Sequence, residues 1–190
     1  MRDSAFQARR AGLLVVDMQR FFLDPKSPAY MEAAREAFPA VRGLVRAFRQ
    51  AGRPVAFAVY ATARGGPMSR WWRKRCPRRS PWTRLGEGLE ALPGERIFVK
   101  SGYSAFRGTA CARHVAARGV SDLVVAGVMT HLCVESTVRD AFDEGLRVFV
   151  PREACAAADR RLHAAALSVM AAGFAYVRPE RELRAALEAA

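Results

Sequence analysis

At 190 residues, 51% hydrophobic and 26% charged, the chain is long enough to bury roughly 70% of its extended surface around one core, which excludes disordered, collagen-like and disulfide-scaffold classes. No apolar run approaches the ~20 residues of a membrane helix, the apolar run Leu13–Val16 ends too soon in Asp17 for a signal-peptide core, and the four cysteines have no paired metal spacing. The net charge of +13 is local: Ala37–Gly86 holds 12 basic residues and no acid, leaving 19 basic and 18 acidic residues elsewhere.

These features predict a cytoplasmic protein with free thiols and one domain over residues 1–190. Leu13–Val16 is aliphatic without alternation, the pattern of a strand buried on both faces. Similar runs follow at Val55–Tyr60, Arg96–Lys100, Leu123–Ala126, Arg147–Val150 and Ala175–Val177. Between most of them, apolar residues recur every three or four positions, as at Val41, Leu44, Val45 and Phe48 or at Val134, Val138, Ala141 and Phe142. Gly52, Gly119, Gly145 and Gly173 are predicted helix stops. The alternation implies a three-layer α/β/α, Rossmann-like doubly wound sheet of about six mainly parallel strands. One long irregular stretch, Ala61 to Pro93, interrupts it.

Open parallel sheets bind ligands beyond the carboxyl ends of their strands. Asp17, Lys100 and the Gly127–Cys133 turn follow three separate strands, so an acid, an ammonium and a thiol are predicted to meet. Cys133 is expected at the start of a helix, where free N–H groups and the dipole favour a thiolate and lower its pKa. The same N–H groups can hold an oxyanion. Lys100 adds a positive charge, and Asp17 can take the thiol proton and return it to a leaving amine. Taken singly, Cys133 also fits a buried hydrophobe, Asp17 a helix N-cap and Lys100 a solvated strand end.

Leu14–Gln19, Lys100–Phe106 and Gly127–Val134 resemble, in order, three signatures of the isochorismatase-like cysteine hydrolases, and the likeness runs from about Ala11 to Val177. The resemblance implies Cys133 as nucleophile, Asp17 as general acid/base and Lys100 as the supporting cation. It also implies a cis peptide at Val128–Met129, an oxyanion hole from the N–H groups of Met129 and Cys133, and a homodimer or homotetramer. The implied cycle is carbonyl attack, amine loss and thioester hydrolysis, with no organic cofactor. Family members that act on nicotinamide carry a metal site after the second strand. Here Tyr60–Gly66 has neither His nor acid, so no metal is expected and a nicotinamidase is disfavoured.

A small amide, carbamoyl compound or ureide is therefore the expected substrate. Gln19, Phe21, Phe22, Trp71, Trp72, Tyr103, Phe106, Thr130 and His131 are the candidates to contact it. A direct Cys–His dyad is disfavoured, because His131 lies only two residues before the nucleophile. Arginines and tryptophans interleave from Arg70 to Trp82; this segment reads first as pocket wall or subunit interface, then as solvated charge, and last as a nucleic-acid surface. Two other functions remain open: an isochorismatase-type vinyl-ether hydrolase with Asp17 as the acid, and a non-catalytic basic binding module.

Overall fold

The computed structural model of the chain describes residues 5–190. In chain order the elements are β1 (Ala11–Val16), α1 (Arg20–Leu23), α2 (Glu32–Gln50), β2 (Val55–Tyr60), α3 (Pro67–Trp71), β3 (Arg96–Lys100), α4 (Cys111–Ala117) and β4 (Asp122–Val128). Then come α5 (Glu135–Asp143), β5 (Arg147–Pro151), β6 (Cys155–Ala156), α6 (Arg160–Gly173), β7 (Tyr176–Arg178) and α7 (Glu180–Glu188). All sheet pairings are parallel, in the order β3-β2-β1-β4-β5-β7, and the short β6 continues beside β4. The sheet therefore has seven strands rather than six. The extra one is a two-residue strand at Cys155–Ala156, too short to give a sequence pattern.

Each residue of β1, β2 and β4 is buried, because helices cover both faces of these central strands. Leu13, Val15, Phe57 and Val124 pack with Val41, Leu44 and Phe48 of α2 and Leu183 of α7. Leu14, Val16, Ala58 and Val125 point the other way, onto Val115 of α4, Val138 of α5 and Met170 of α6. Successive strand residues thus feed two cores on opposite sides of one sheet.

Three of the four glycine stops adopt left-handed backbone, at Gly52, Gly119 and Gly145. Gly173 does not: it is the last helical residue of α6, and Phe174 caps the helix with φ −153°. The stretch from Ala61 to Pro93 contains α3 and a 3-10 turn at Pro81–Thr83.

The chain leaves β1 toward β2 and β3 on one side, then returns across the sheet to lay β4 on the other. The switch point lies between β1 and β4, where an open α/β sheet forms its ligand crevice. At this point the two strands come unusually close. A Cβ on Gly127 would lie 2.0 Å from the Val16 carbonyl oxygen, and Gly127 has φ +128°. Only glycine fits there.

Candidate active site

Asp17 directly follows β1, and its own N–H still bonds the Ala58 carbonyl of β2. The chain then turns through a left-handed Asp17, φ 56°, which carries the carboxylate over the end of the sheet. Lys100 ends β3, and its side chain is fully enclosed. Cys133 arrives after β4, through a cis peptide at Val128–Met129 and a π-helical turn at Thr130–Val134 that runs into α5. The nucleophile candidate thus sits in the fourth residue of the helical run, not at the first residue of α5.

These three side chains converge. Lys100 Nζ donates to Asp17 Oδ2 at 2.7 Å, to Cys133 Sγ at 3.3 Å and to the Gly102 carbonyl at 3.1 Å. An ammonium has three N–H bonds, so all of its donors are engaged. Its charge also lies 5.8 Å from the centre of the Tyr60 ring. Asp17 Oδ1 is buried and makes no hydrogen bond among the described residues. Thr137, one helical turn after Cys133, fixes the nucleophile: its hydroxyl donates to the Cys133 carbonyl at 2.6 Å and accepts from the Ala105 N–H at 3.0 Å. That pair of bonds ties the nucleophile to the loop following β3. The signal in the sequence is a Thr four residues after the Cys, placed to bond back to its carbonyl.

Burial pushes Asp17 above the usual carboxylate range, and the neighbouring Lys100 ammonium opposes the rise. Burial, the largest single influence, would lower Lys100, but Asp17 and Cys133 together outweigh it, and the ammonium is held up to about 12. The Cys133 thiol is likewise pushed up to about 12, first by burial and then by the Asp17 carboxylate, against the pull of Lys100. This corrects the expected resting thiolate. The helix start and Lys100 favour the anion, but desolvation and a carboxylate in the same enclosure outweigh them.

A cavity of about 330 Å³ opens onto Asp17 and Cys133. Of the predicted contact residues, Phe21, Phe22, Trp72, Tyr103 and His131 line it, together with Met129. The wall is held in place by ring contacts and polar bonds: Phe21 and Phe22 meet edge to face at 5.1 Å, and Trp72 Nε1 donates to the Tyr103 hydroxyl at 3.1 Å. Burial lowers the His131 pKa, and its Nδ1 is enclosed without a hydrogen bond among the described residues. Tyr60, at the carboxyl end of β2, also lines it, as do Met31, Met68, Asp159 and Leu162, which were not singled out in the sequence. The latter come from loops and helix starts whose side-chain directions follow no period.

Four predicted contact residues lie elsewhere. Trp71 is 77% exposed, pointing to solvent beside its inward neighbour Trp72. Phe106 is buried in the core beneath α4 and α5. Thr130 is buried, and its hydroxyl is hydrogen-bonded with His163 Nδ1 of α6 at 2.8 Å. Gln19 is fully buried and spent on protein groups. Its Oε1 accepts from the Tyr60 N–H at 2.6 Å, and its Nε2 donates to the carbonyls of Tyr60 and Trp82, both at 3.0 Å. A further weak bond from Nε2 reaches Cys76 Sγ at 3.5 Å. Gln19 therefore staples the irregular segment to the end of β2.

The family model that matches this chain is the isochorismatase domain, over residues 11–182. The chain belongs to the isochorismatase family. Among relatives in that family, the ureidoacrylate amidohydrolase RutB of Methylobacterium radiotolerans is 32% identical over 195 residues, covering 87% of this chain and 74% of that protein. Nicotinamidase 3 of Arabidopsis thaliana is 41% identical over 101 residues, covering 53% of this chain and 50% of that protein. The chain thus spans about half the length of that nicotinamidase. A cysteine hydrolase from Pseudomonas syringae pv. phaseolicola has the same fold, with a TM-score of 0.90 at 25% identity, covering 97% of this chain and 95% of that structure. All three are hydrolases by name. The residues present do not fit the metal centre of nicotinamide-hydrolysing family members. Tyr60–Gly66 supplies no His or acid, and no group of three or more His, Cys, Asp or Glu is clustered for a metal among the described residues.

Proposed function

We propose that this isochorismatase-family protein hydrolyses the C–N bond of a small, flat amide by covalent cysteine catalysis. One observation carries the proposal: a fully buried ammonium is within hydrogen-bond distance of both a carboxylate, at 2.7 Å, and a thiol, at 3.3 Å, and these two partners line a ligand-sized cavity. Cys133 Sγ attacks the amide carbon while its proton passes to Asp17. The carbonyl electron pair becomes an oxyanion, taken up by the backbone N–H groups of Met129 and Cys133. On collapse the C–N bond breaks, and Asp17 returns the proton to the departing amine. Water then adds to the thioester with Asp17 as base, the C–S bond breaks, and the acid and the thiol are released. Lys100 remains an ammonium throughout.

The aromatic and thioether wall supports a planar, uncharged group next to the scissile bond. A cavity of about 330 Å³ is near the small end of the usual range for ligand sites, roughly 300–1,000 Å³. The test is ammonia release from a panel of amides and ureides by the wild type and by Cys133→Ala. Turnover should fall at least about a thousandfold in the variant, and an electrophilic amide analogue should add its mass to the wild type alone. No ammonia from any amide, together with vinyl-ether hydrolysis that survives Cys133→Ala and is lost in Asp17→Asn, would instead assign vinyl-ether chemistry with Asp17 as acid.

A further inference from the structure

The segment between β2 and β3 carries eight cations from Arg64 to Arg84 and no acid. All eight are exposed, and none is in an ion pair among the described residues. Elsewhere the chain places many of its charges in pairs, as in Arg20–Asp24, Arg139–Glu135 and Arg184–Glu180. The same segment supplies Met68, Trp72 and Lys74 to the cavity wall. Lys74 is thus a cation on the cavity wall, and Arg70, Arg73 and Arg75 are its close neighbours in sequence. Asp159, which also lines the cavity, is itself engaged by the Arg161 N–H at 2.7 Å and its guanidinium at 3.2 Å.

Inside and outside differ sharply. The Asp17–Lys100 pair is already matched, and the rest of the inner wall is mostly aromatic rings and methionines, which hold no anion. Guanidinium groups bind carboxylate and phosphate oxygens in forked pairs. Individually, exposed contacts of this kind contribute little, so an effect here must be collective and weakened by salt.

We infer that the substrate has two parts: an uncharged, flat amide end that fills the cavity, and a carboxylate or phosphate end that stays outside, over Arg70, Arg73, Lys74 and Arg75. This rests on the amide-hydrolase proposal above and narrows its substrate class. A nucleic acid is the weaker fit, because Trp72 is turned inward onto Tyr103, leaving Trp71 as the exposed ring on this rim for base stacking.

Two probes separate these possibilities: 4-(3-hydroxypropyl)benzamide and its phosphate monoester. Ammonia release is followed at about 20 mM and about 500 mM salt, which shortens the screening length severalfold. The phosphate probe should show kcat/KM about tenfold or more above the neutral one at low salt, converging at high salt. In Arg70→Gln/Arg73→Gln/Arg75→Gln the preference should vanish, with the neutral probe unchanged. Equal rates at low salt, or a preference that survives the triple variant, overturn the inference. The same pair is titrated calorimetrically into Cys133→Ala and into its triple-variant counterpart. If neither probe is turned over but the phosphate still binds more tightly and loses that advantage in the triple variant, the rim assignment stands and the catalytic proposal fails. A single-stranded oligonucleotide binding tightly, with no preference between the two probes, would assign the rim to nucleic acid and overturn the inference.

Discussion

Replacing Lys100 with Met keeps most of the aliphatic stem and removes the charge, leaving the Asp17 carboxylate enclosed with no cation. Both side chains are 0% exposed, so water cannot screen the loss. Removing one partner of a buried pair typically costs about 3–5 kcal/mol. Protonation of Asp17 offers an escape: binding a proton at pH 7 to a carboxyl with an ordinary pKa of ~3.9 costs about 4 kcal/mol. The loss at pH 7 is therefore capped near 4 kcal/mol and should shrink to about 1.5 kcal/mol at pH 5, by about 1.4 kcal/mol per pH unit. The sign follows from linkage. Without the ammonium, the Asp17 pKa in the folded state rises further above its unfolded value, so the folded variant holds one more proton than the unfolded chain across this window. Its stability is then greatest at low pH and falls as pH rises. Urea unfolding at pH 5, 6 and 7 measures the difference, using midpoints at constant m. Asp17→Asn added to Lys100→Met should restore most of the loss at pH 7. A loss of the same size at every pH would mean that Asp17 is already protonated beside Lys100 in the wild type, and would refute the ion-pair description of the resting site.

Two further substitutions test the scaffold around the site. Gln19→Leu strands the Tyr60 N–H and the Tyr60 and Trp82 carbonyls; at about 1–3 kcal/mol per stranded group, it should lower stability by at least about 2 kcal/mol. Because it loosens the segment bearing Trp72, it should raise KM more than it lowers kcat, and Gln19→Glu, which keeps an acceptor for the Tyr60 N–H, should recover part of the KM. Gly127→Ala puts a methyl 2.0 Å from the Val16 oxygen at a φ of +128°; strain and overpacking each typically cost about 1–3 kcal/mol, so thermal unfolding should show a loss above about 3 kcal/mol.

The sheet was legible because burial on both faces leaves a mark that does not depend on neighbours: β1, β2 and β4 each read as unbroken apolar runs. The positions of Asp17, Lys100 and Cys133 were legible for a related reason, since parallel strands present their carboxyl ends on one side. Within the loops that regularity is lost. Trp71 and Trp72 have the same composition and adjacent numbers, yet one is exposed and the other faces the cavity, which is decided by a five-residue helix too short to show a period. Gln19 sits two residues from Asp17 and looks equally placed for substrate. Its partners at Tyr60 and Trp82 are 41 and 63 residues away, outside the reach of any local pattern. The resting state of Cys133 was misjudged for a similar reason. Local helix geometry favours the anion, while burial in the folded enclosure opposes it first, and then a carboxylate from the end of a strand more than a hundred residues earlier.

That raised thiol is compatible with nucleophilic catalysis. What governs attack is the difference between the two proton sites, Cys133 Sγ and Asp17, rather than either pKa alone. Burial raises both. Passing the proton from sulfur to Asp17 exchanges a carboxylate for a thiolate beside the same ammonium, which already bonds both atoms, at 2.7 Å and 3.3 Å. No net charge is created in the enclosure, so desolvation, which dominates each shift separately, largely cancels in the transfer. The unpaired Asp17 Oδ1 has a free lone pair to receive the proton. A permanently ionised thiolate would leave Asp17 protonated before any amide arrives. The arrangement seen here instead keeps the carboxylate basic until the carbonyl is in place, and the proton it then acquires is the one the departing amine requires.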